Sequence, residues 1–420
     1  MRILTMAQFY PPAMGGEERH SRELSIALAA RGHDVTVATL AQPGLPEREI
    51  DNGVKIVRVS GLLQRQTALF SDAKRTHAPP FPDPLIARNL ARIVNEARIE
   101  IVHAHNWLLH SFLPLKRAGG PGLIVTLHDL SLACATKNSI YNGSNCSGPG
   151  VSKCLSCAGR HYGTFKGAAT TMGNWISGFA ERRLVDRFLP VSQAVAMGNG
   201  LDRGPAPYEV VPNFIRDSVA DAAAPPEYIN KLPREPYLLF VGDLREFKGV
   251  HVLLTAYQRL ASAPPLVLIG RRCPDTPTTL PENVHMFHDW PHAAVMHAWR
   301  NCLAGVLPSI GPEACATVIM EAMAMGKPVV ASRIGGNPDI VEDSTSGILV
   351  APGDPVALAD ALRKISSETE LREALAKGAS LRVQVFKASS VVPRIESIYR
   401  DVLSRRIQFA PKPHEAPISS

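Results

Sequence analysis

Two glutamates, Glu313 and Glu321, bracket a segment that changes from strand to helix, and their neighbours decide what chemistry they can do. The apolar run Leu303 to Leu307 reads as a buried strand ending at Pro308. Thr317 is placed to cap a helix through Met325, Gly326 suits the left-handed position after it, and Pro328 cannot continue it. The N–H groups of Val318, Ile319 and Met320 would then point off the helix start and make a site for a phosphate. Carboxylates repel phosphates, so the flanking acids are suited to accept hydrogen bonds from hydroxyls. A molecule with phosphates between two polyol ends is a sugar nucleotide, and that is the ligand this stretch implies. The competing reading is two ordinary surface charges at a helix entry.

Other residues could share that site. Lys248, at a helix start in Gly242-Asp-Leu-Arg-Glu-Phe-Lys-Gly249, is placed to neutralise a diphosphate. Gly15 and Gly16 lie between a strand and a helix, where a ligand can approach the backbone. His105 and Asn106 follow the strand Ile99 to Val102, and His128 follows Leu123 to Leu127. Parallel sheets bind ligands at such strand ends, although a lone histidine there is more often structural. Cys134, Cys146, Cys154 and Cys157 lie within 24 residues, two of them as Cys-x2-Cys. Four thiolates could close a tetrahedral, structural zinc site; disulfides and unligated thiols are the alternatives.

These residues need elements to hold them. Strands and helices alternate from Arg2 onward, starting with a strand, a helix from about Glu17 to Arg31 and a second strand, Val35 to Leu40. Asp83-Pro84 and Asp354-Pro355 each read as an N-cap followed by proline at the first helical position. Residues 130–167 break the pattern as an irregular, Cys-containing insertion. Glu209 to Pro212 reads as a last edge strand, and the Ala/Pro-rich stretch 214–235 as a linker. The alternation resumes at 236. The expected layout is a first domain over 1–213, a second over 236–388, a C-terminal helix over 389–407 and a disordered tail over 408–420.

Four stretches carry a resemblance. Pro-Ser…Glu-x7-Glu-Ala-Met-Ala-x-Gly-Lys-Pro-Val-Val resembles the signature of the retaining, family-four glycosyltransferases of GT-B fold. Pro-Pro-Ala-Met-Gly-Gly-Glu-Glu-Arg-His with Ala-Ala-Arg-Gly-His-Asp-Val-Thr-Val, Ile-Val-Thr-Leu-His-Asp, and the Lys248-Gly249 segment resemble other motifs of the same enzymes. The resemblance implies an α/β fold of two Rossmann-like domains whose parallel sheets face each other across a cleft, the last helix crossing back to the first domain. It implies transfer of a hexose or related sugar from a nucleoside diphosphate sugar to an acceptor hydroxyl, in polysaccharide, glycoconjugate or glycosylated-metabolite synthesis. Glu313 would then contact the sugar, Glu321 the ribose and His128 the region around the sugar. Lys248, Val318 and Ile319 would stabilise the diphosphate, with Gly16 on the donor side and His105 and Asn106 as cleft or acceptor residues. One position departs: Asp243 stands where the family has arginine. Either Arg245 takes over, or Lys248 and the helix start act alone. With no Asp-x-Asp motif, no catalytic metal is expected. A GT-B epimerase and a non-catalytic sugar-nucleotide sensor are the rival readings.

Charge and composition narrow the partners. Lys and Arg exceed Asp and Glu by 22 to 14 in residues 1–200 but not in 201–420, where they number 23 against 24. The expected acceptor is a sugar, a lipid-linked molecule or a small molecule; a basic first half suits a polyanionic acceptor or an anionic membrane surface, with a merely solvated face as the alternative. No Lys/Arg block or nucleic-acid motif occurs, so nucleic acid is not expected. The N-terminus reads as a buried strand without a signal-peptide core, giving an expected cytoplasmic location, with peripheral attachment at the inner face of the membrane as an option.

Overall fold

The computed structural model describes residues 1–12, 15–65, 76–221 and 223–408. Gln408, expected to open a disordered tail, ends the last helix, and the rest of that tail, 409–420, lies outside the described residues.

Two separate sheets organise the chain. The first half supplies β1 (Arg2–Met6), β2 (Asp34–Leu40), β3 (Arg48–Asp51), β4 (Val54–Val59), β5 (Ile101–Ala104), β6 (Gly122–Leu127), a small hairpin of β7 (Ile140–Tyr141) and β8 (Ser144–Asn145), and β9 (Arg187–Pro190). The second half supplies β10 (Leu238–Val241), β11 (Leu266–Gly270), β12 (Val284–His288), β13 (Ala304–Leu307), β14 (Val329–Ser332) and β15 (Gly347–Val350). Their orders are β3-β4-β2-β1-β5-β6-β9 and β12-β11-β10-β13-β14-β15. Every pairing in them is parallel except the β3–β4 hairpin at one edge. The central strands are buried runs such as Leu238–Phe240 and Leu266–Ile269, as expected of sheets covered by helices on both faces.

Local chemistry sets the helix boundaries. Asp83 accepts hydrogen bonds from the N–H groups of Leu85 and Ile86 with Pro84 at the first turn, and Asp354 does the same for Val356 and Ala357. The helix Ala388–Gln408 crosses to the first sheet, where Glu396 binds Arg31 and His33 at 2.7 Å and the Tyr399 hydroxyl meets His103 at 2.6 Å. These contacts hold Glu396 down to about 2, chiefly through the Arg31 hydrogen bond.

Three local expectations are corrected. Glu209 to Pro212 forms no strand; Tyr208 makes only an isolated bridge to Phe188. Residues 130–167 are not irregular throughout, because Val151–Tyr162 is a helix that packs on a second helix, Thr164–Leu184. Gly167 permits that packing: a Cβ there would sit 2.4 Å from the Ala158 backbone. Thr317 is not a cap. Ala316 holds the N-cap position without a side-chain bond, and Thr317 is the first helical residue.

Candidate active site

Each sheet reverses strand order once, between β1 and β5 and between β10 and β13. Such switch points leave a crevice at the carboxyl ends of the strands, and the predicted residues collect at both.

In the second sheet the crevice is a cavity of about 290 Å³ lined by Gly242, Asp243, Lys248, Ser309, Glu313 and Val318, among others. Gly249 ties its two sides together. It adopts φ +74°, and a Cβ there would stand 1.9 Å from the Pro308 carbonyl oxygen, so only glycine lets the lysine loop lie against the glutamate loop. Gly335, at φ +56°, lies equally close to the Glu313 backbone, with its would-be Cβ 2.0 Å from the carbonyl oxygen. Held this way, Lys248 donates to both Glu313 oxygens at 2.7 and 2.9 Å, and Ser309 donates to Oε1 at 2.5 Å. The Glu313 carboxylate is therefore buried but fully paired, which offsets its desolvation.

Asp243 has a partner that the sequence reading missed. Arg271 donates to Asp243 at 2.8 Å, and this bond raises the arginine above its ordinary range. Arg271 follows β11, the parallel neighbour of β10, so its position was implied by strand adjacency and by no local motif. Arg245, the expected substitute, is exposed, does not line the cavity, and lies over the Phe247 ring with 5.9 Å to its centroid. The backbone donors also divide. Val318 lines the cavity, whereas the Ile319 N–H turns back to the Ala316 carbonyl at 3.0 Å and is spent inside the helix.

Glu321 is buried outside that lining. It accepts from His292 Nε2 at 2.8 Å and lies 3.8 Å from Arg19, which belongs to the first half of the chain. Neither partner was foreseen. A second link between the halves runs from Asn213 to the Cys315 carbonyl at 3.4 Å.

The first sheet's switch point is built from imidazoles. His105 Nδ1 and His128 Nε2 lie 3.0 Å apart, the His103 ring lies tilted beside His105 with centroids 4.5 Å apart, and the His20 ring meets His128 edge-on at 5.0 Å. Burial is the leading cause that lowers all four. His103 and His128 fall to about 3, and His20 and His105 fall well below the ordinary value, so all are neutral at pH 7. One ring nitrogen each of His20, His105 and His128 lies within 4.8 Å of the others, a set that could hold a metal ion. Among the described residues, His20 Nδ1 and His105 Nε2 are buried without a hydrogen-bond partner. Gly16 starts the helix Gly16–Ala30, is exposed, and has nothing within 4 Å of where a Cβ would stand. Asn106 has a local duty: it caps the turn Trp107–Ser111 through the Leu108 N–H and donates to Glu17. Burial pushes the Glu17 carboxyl up to about 8, a perturbed acid in the cleft that nothing in the sequence reading singled out.

The clustered cysteines do not converge. Cys134 meets Thr136, Cys146 the Gly148 carbonyl, Cys154 the Gly150 N–H and Cys157 the Ile140 carbonyl. No three of the sulfurs come within 4.8 Å of one another.

Two doubly wound parallel sheets, one with a charged cavity and the other with neutral imidazoles at its switch point, define a GT-B architecture. Comparison with known proteins agrees. The model described as "Glycosyltransferase Family 4" matches residues 14–219, and that described as "Glycosyl transferases group 1" matches residues 226–382. The chain is 26% identical to the glycogen synthase of Mycobacterium tuberculosis, covering 98% of this chain and 97% of the relative. The sucrose-phosphate synthase structure from Thermosynechococcus elongatus superposes with a TM-score of 0.73 at 19% identity, covering 96% of this chain and 99% of the other. Anabaena HepE in complex with UDP-glucose does so with a TM-score of 0.64 at 18% identity, covering 96% and 100%. The chain belongs to the family-four-like glycosyltransferases of GT-B fold.

Proposed function

We propose that this glycosyltransferase is a retaining enzyme that moves a hexose or related sugar from a nucleoside diphosphate sugar to an acceptor hydroxyl. The reading places it in the cytoplasm and in polysaccharide, glycoconjugate or glycosylated-metabolite synthesis. One observation carries the donor assignment: the Lys248–Glu313–Ser309 constellation at the β10/β13 switch point pairs a cation for a diphosphate with a carboxylate for sugar hydroxyls. Two of the similar proteins, a glycogen synthase and a structure holding UDP-glucose, support the same class of donor.

In this mechanism the donor's diphosphate replaces Glu313 as a partner of Lys248, while Glu313 turns to the sugar hydroxyls. The bond from the anomeric carbon to the diphosphate oxygen breaks and the acceptor oxygen bonds to that carbon on the same face. The acceptor proton passes to the departing diphosphate. Lys248, the Val318 N–H and the helix start stabilise the charge that develops there. Glu321 takes the ribose, sharing it with His292.

A panel of UDP-, GDP- and ADP-sugars with candidate acceptors tests the proposal. Acceptor-dependent release of nucleoside diphosphate, with the anomeric configuration kept in the product by NMR, is the expected result. An inverted product overturns retention. Donor isomerised without acceptor overturns transfer.

A structural zinc on Cys134, Cys146, Cys154 and Cys157 also stands as a proposal. Tetrahedral ligation at about 2.3 Å needs the four sulfurs drawn to about 3.8 Å from one another. Cys134 and Cys146 both act, after burial, to raise the Cys157 thiol, which supports three of the four sulfurs lying in one neighbourhood; Cys154 would have to move to join them. Protein purified without chelator should carry about one zinc per chain; folded protein free of metal would rule the site out.

A further inference from the structure

The helix Thr164–Leu184 is built inside out. Its buried residues are Gly167, Thr170, Thr171, Asn174, Ser177, Gly178 and Glu181, all small or polar. Its large apolar side chains face outward: Phe165 is 90% exposed, Ile176 68%, Phe179 59% and Met172 52%. At about 100° per residue, Phe165, Ala169, Met172, Ile176, Phe179 and Arg183 fall in one stripe about 80° wide running the length of the helix. A surface helix normally turns such a stripe to the core.

The inward face is explained by packing. Glycines let neighbouring backbones approach, Ser177 donates to the Pro80 carbonyl at 2.9 Å, and the one acid, Glu181, is buried against His110 at 2.6 Å. The outward face has no such account among the described residues, and contiguous apolar surface of this kind marks an interaction site.

Charge selects the partner. Residues 131–184 carry Lys137, Lys153, Arg160, Lys166, Arg182 and Arg183 against Glu181 alone, and that acid is buried. Arg183 lies over the Phe179 ring at 3.6 Å and Lys166 sits 6.0 Å from the Tyr162 ring, so cations border the apolar stripe near both ends. A second copy on this face would oppose cations with cations and offer no carboxylate to pair. Among the described residues no helix is long and apolar enough to cross a membrane, so the segment would lie along a surface. We infer that this face docks on an anionic lipid bilayer, rings inserted and Lys/Arg at the headgroups. The segment follows His128 in the chain, so docking would hold the first-sheet side of the cleft near the bilayer.

Flotation of the full chain with phosphatidylcholine vesicles, with and without phosphatidylglycerol, tests this. The wild type should float with the anionic vesicles only and release as salt is raised. The triple change Phe165→Ser, Ile176→Ser, Phe179→Ser should weaken partitioning at least about tenfold. Lys166→Glu with Arg183→Glu should weaken it by about fivefold per charge. All these positions are exposed, so turnover of soluble substrate should persist and report that the variants fold. A wild type that stays with the soluble fraction, floats equally with neutral vesicles, or floats as well when the three apolar residues are changed overturns the inference. So does a wild-type dimer by light scattering that the triple change abolishes without any flotation.

Discussion

The two switch points solve opposite electrostatic problems. Around β10 and β13 the groups are charged and satisfied by one another: Lys248 with Glu313, Asp243 with Arg271. Around β1 and β5 the groups are imidazoles kept neutral by burial, and two of their ring nitrogens have no partner among the described residues. A charged leaving group needs charge that can change partners, because an ion pair can open toward a phosphate without leaving a buried charge alone. Neutral sugar hydroxyls need neutral donors and acceptors left unspent. The difference therefore follows the chemistry each half would meet.

Breaking the charged half should have the largest effect. Lys248→Ala removes the cation aimed at the diphosphate and strands Glu313, so kcat/KM should fall about 10²–10³-fold in initial-rate assays. A loss below about tenfold would mean that a cation other than Lys248 carries the diphosphate.

The neutral half can be probed with acid. His20, His103 and His105 have folded-state values depressed below the free value, so the unfolded chain takes up their protons first. Their contribution is unaffected above a pH of about 6.5 and turns against the fold as pH drops below it, by up to about 1.4 kcal/mol per histidine for each pH unit. Denaturant unfolding at pH 7.5, 6.5 and 5.5 should show the loss, and His105→Asn should flatten it. A stability curve flat down to pH 5 would contradict the neutral cluster.

Between the halves, Glu321→Ala should weaken donor binding about tenfold while the thermal transition stays cooperative. Unchanged donor affinity by calorimetry would remove the ribose role. The smallest effect is expected at Glu17. Its carboxyl holds a proton below about 8, so Glu17→Gln should stay within about threefold of wild-type activity at pH 7. Above pH 8, where the wild type ionises, the two should diverge. A large loss at neutral pH would show that the carboxylate form is needed.

Much of this was legible in the chain itself. Apolar runs with period-two or continuous burial, Asp-Pro helix starts and the Gly326 stop gave the strands and helices, because they depend on neighbours within a turn. The same holds for Glu313 and Lys248, whose loops are set by Gly249 and Pro308. Errors fell where one residue's position decides: the cap moved from Thr317 to Ala316, and with it the Ile319 N–H was lost to the helix. The insertion was misread because its helices pack through glycines and hydroxyls, which carry no apolar period facing the core.

The sequence alone determined the alternation of strands and helices, the two glutamates and the lysine, and the missing arginine at Asp243. Only the tertiary structure decided what Asp243 pairs with, since Arg271 reaches it through the parallel pairing of β11 with β10. It also decided that four histidines spread from position 20 to 128 share one cluster, three of them buried, and that the stripe of Phe165, Ile176 and Phe179 faces outward. Local spacing fixes which face of an element a residue occupies. Which neighbour that face meets, and whether it meets solvent, depends on sheet order and on packing between segments far apart in the chain.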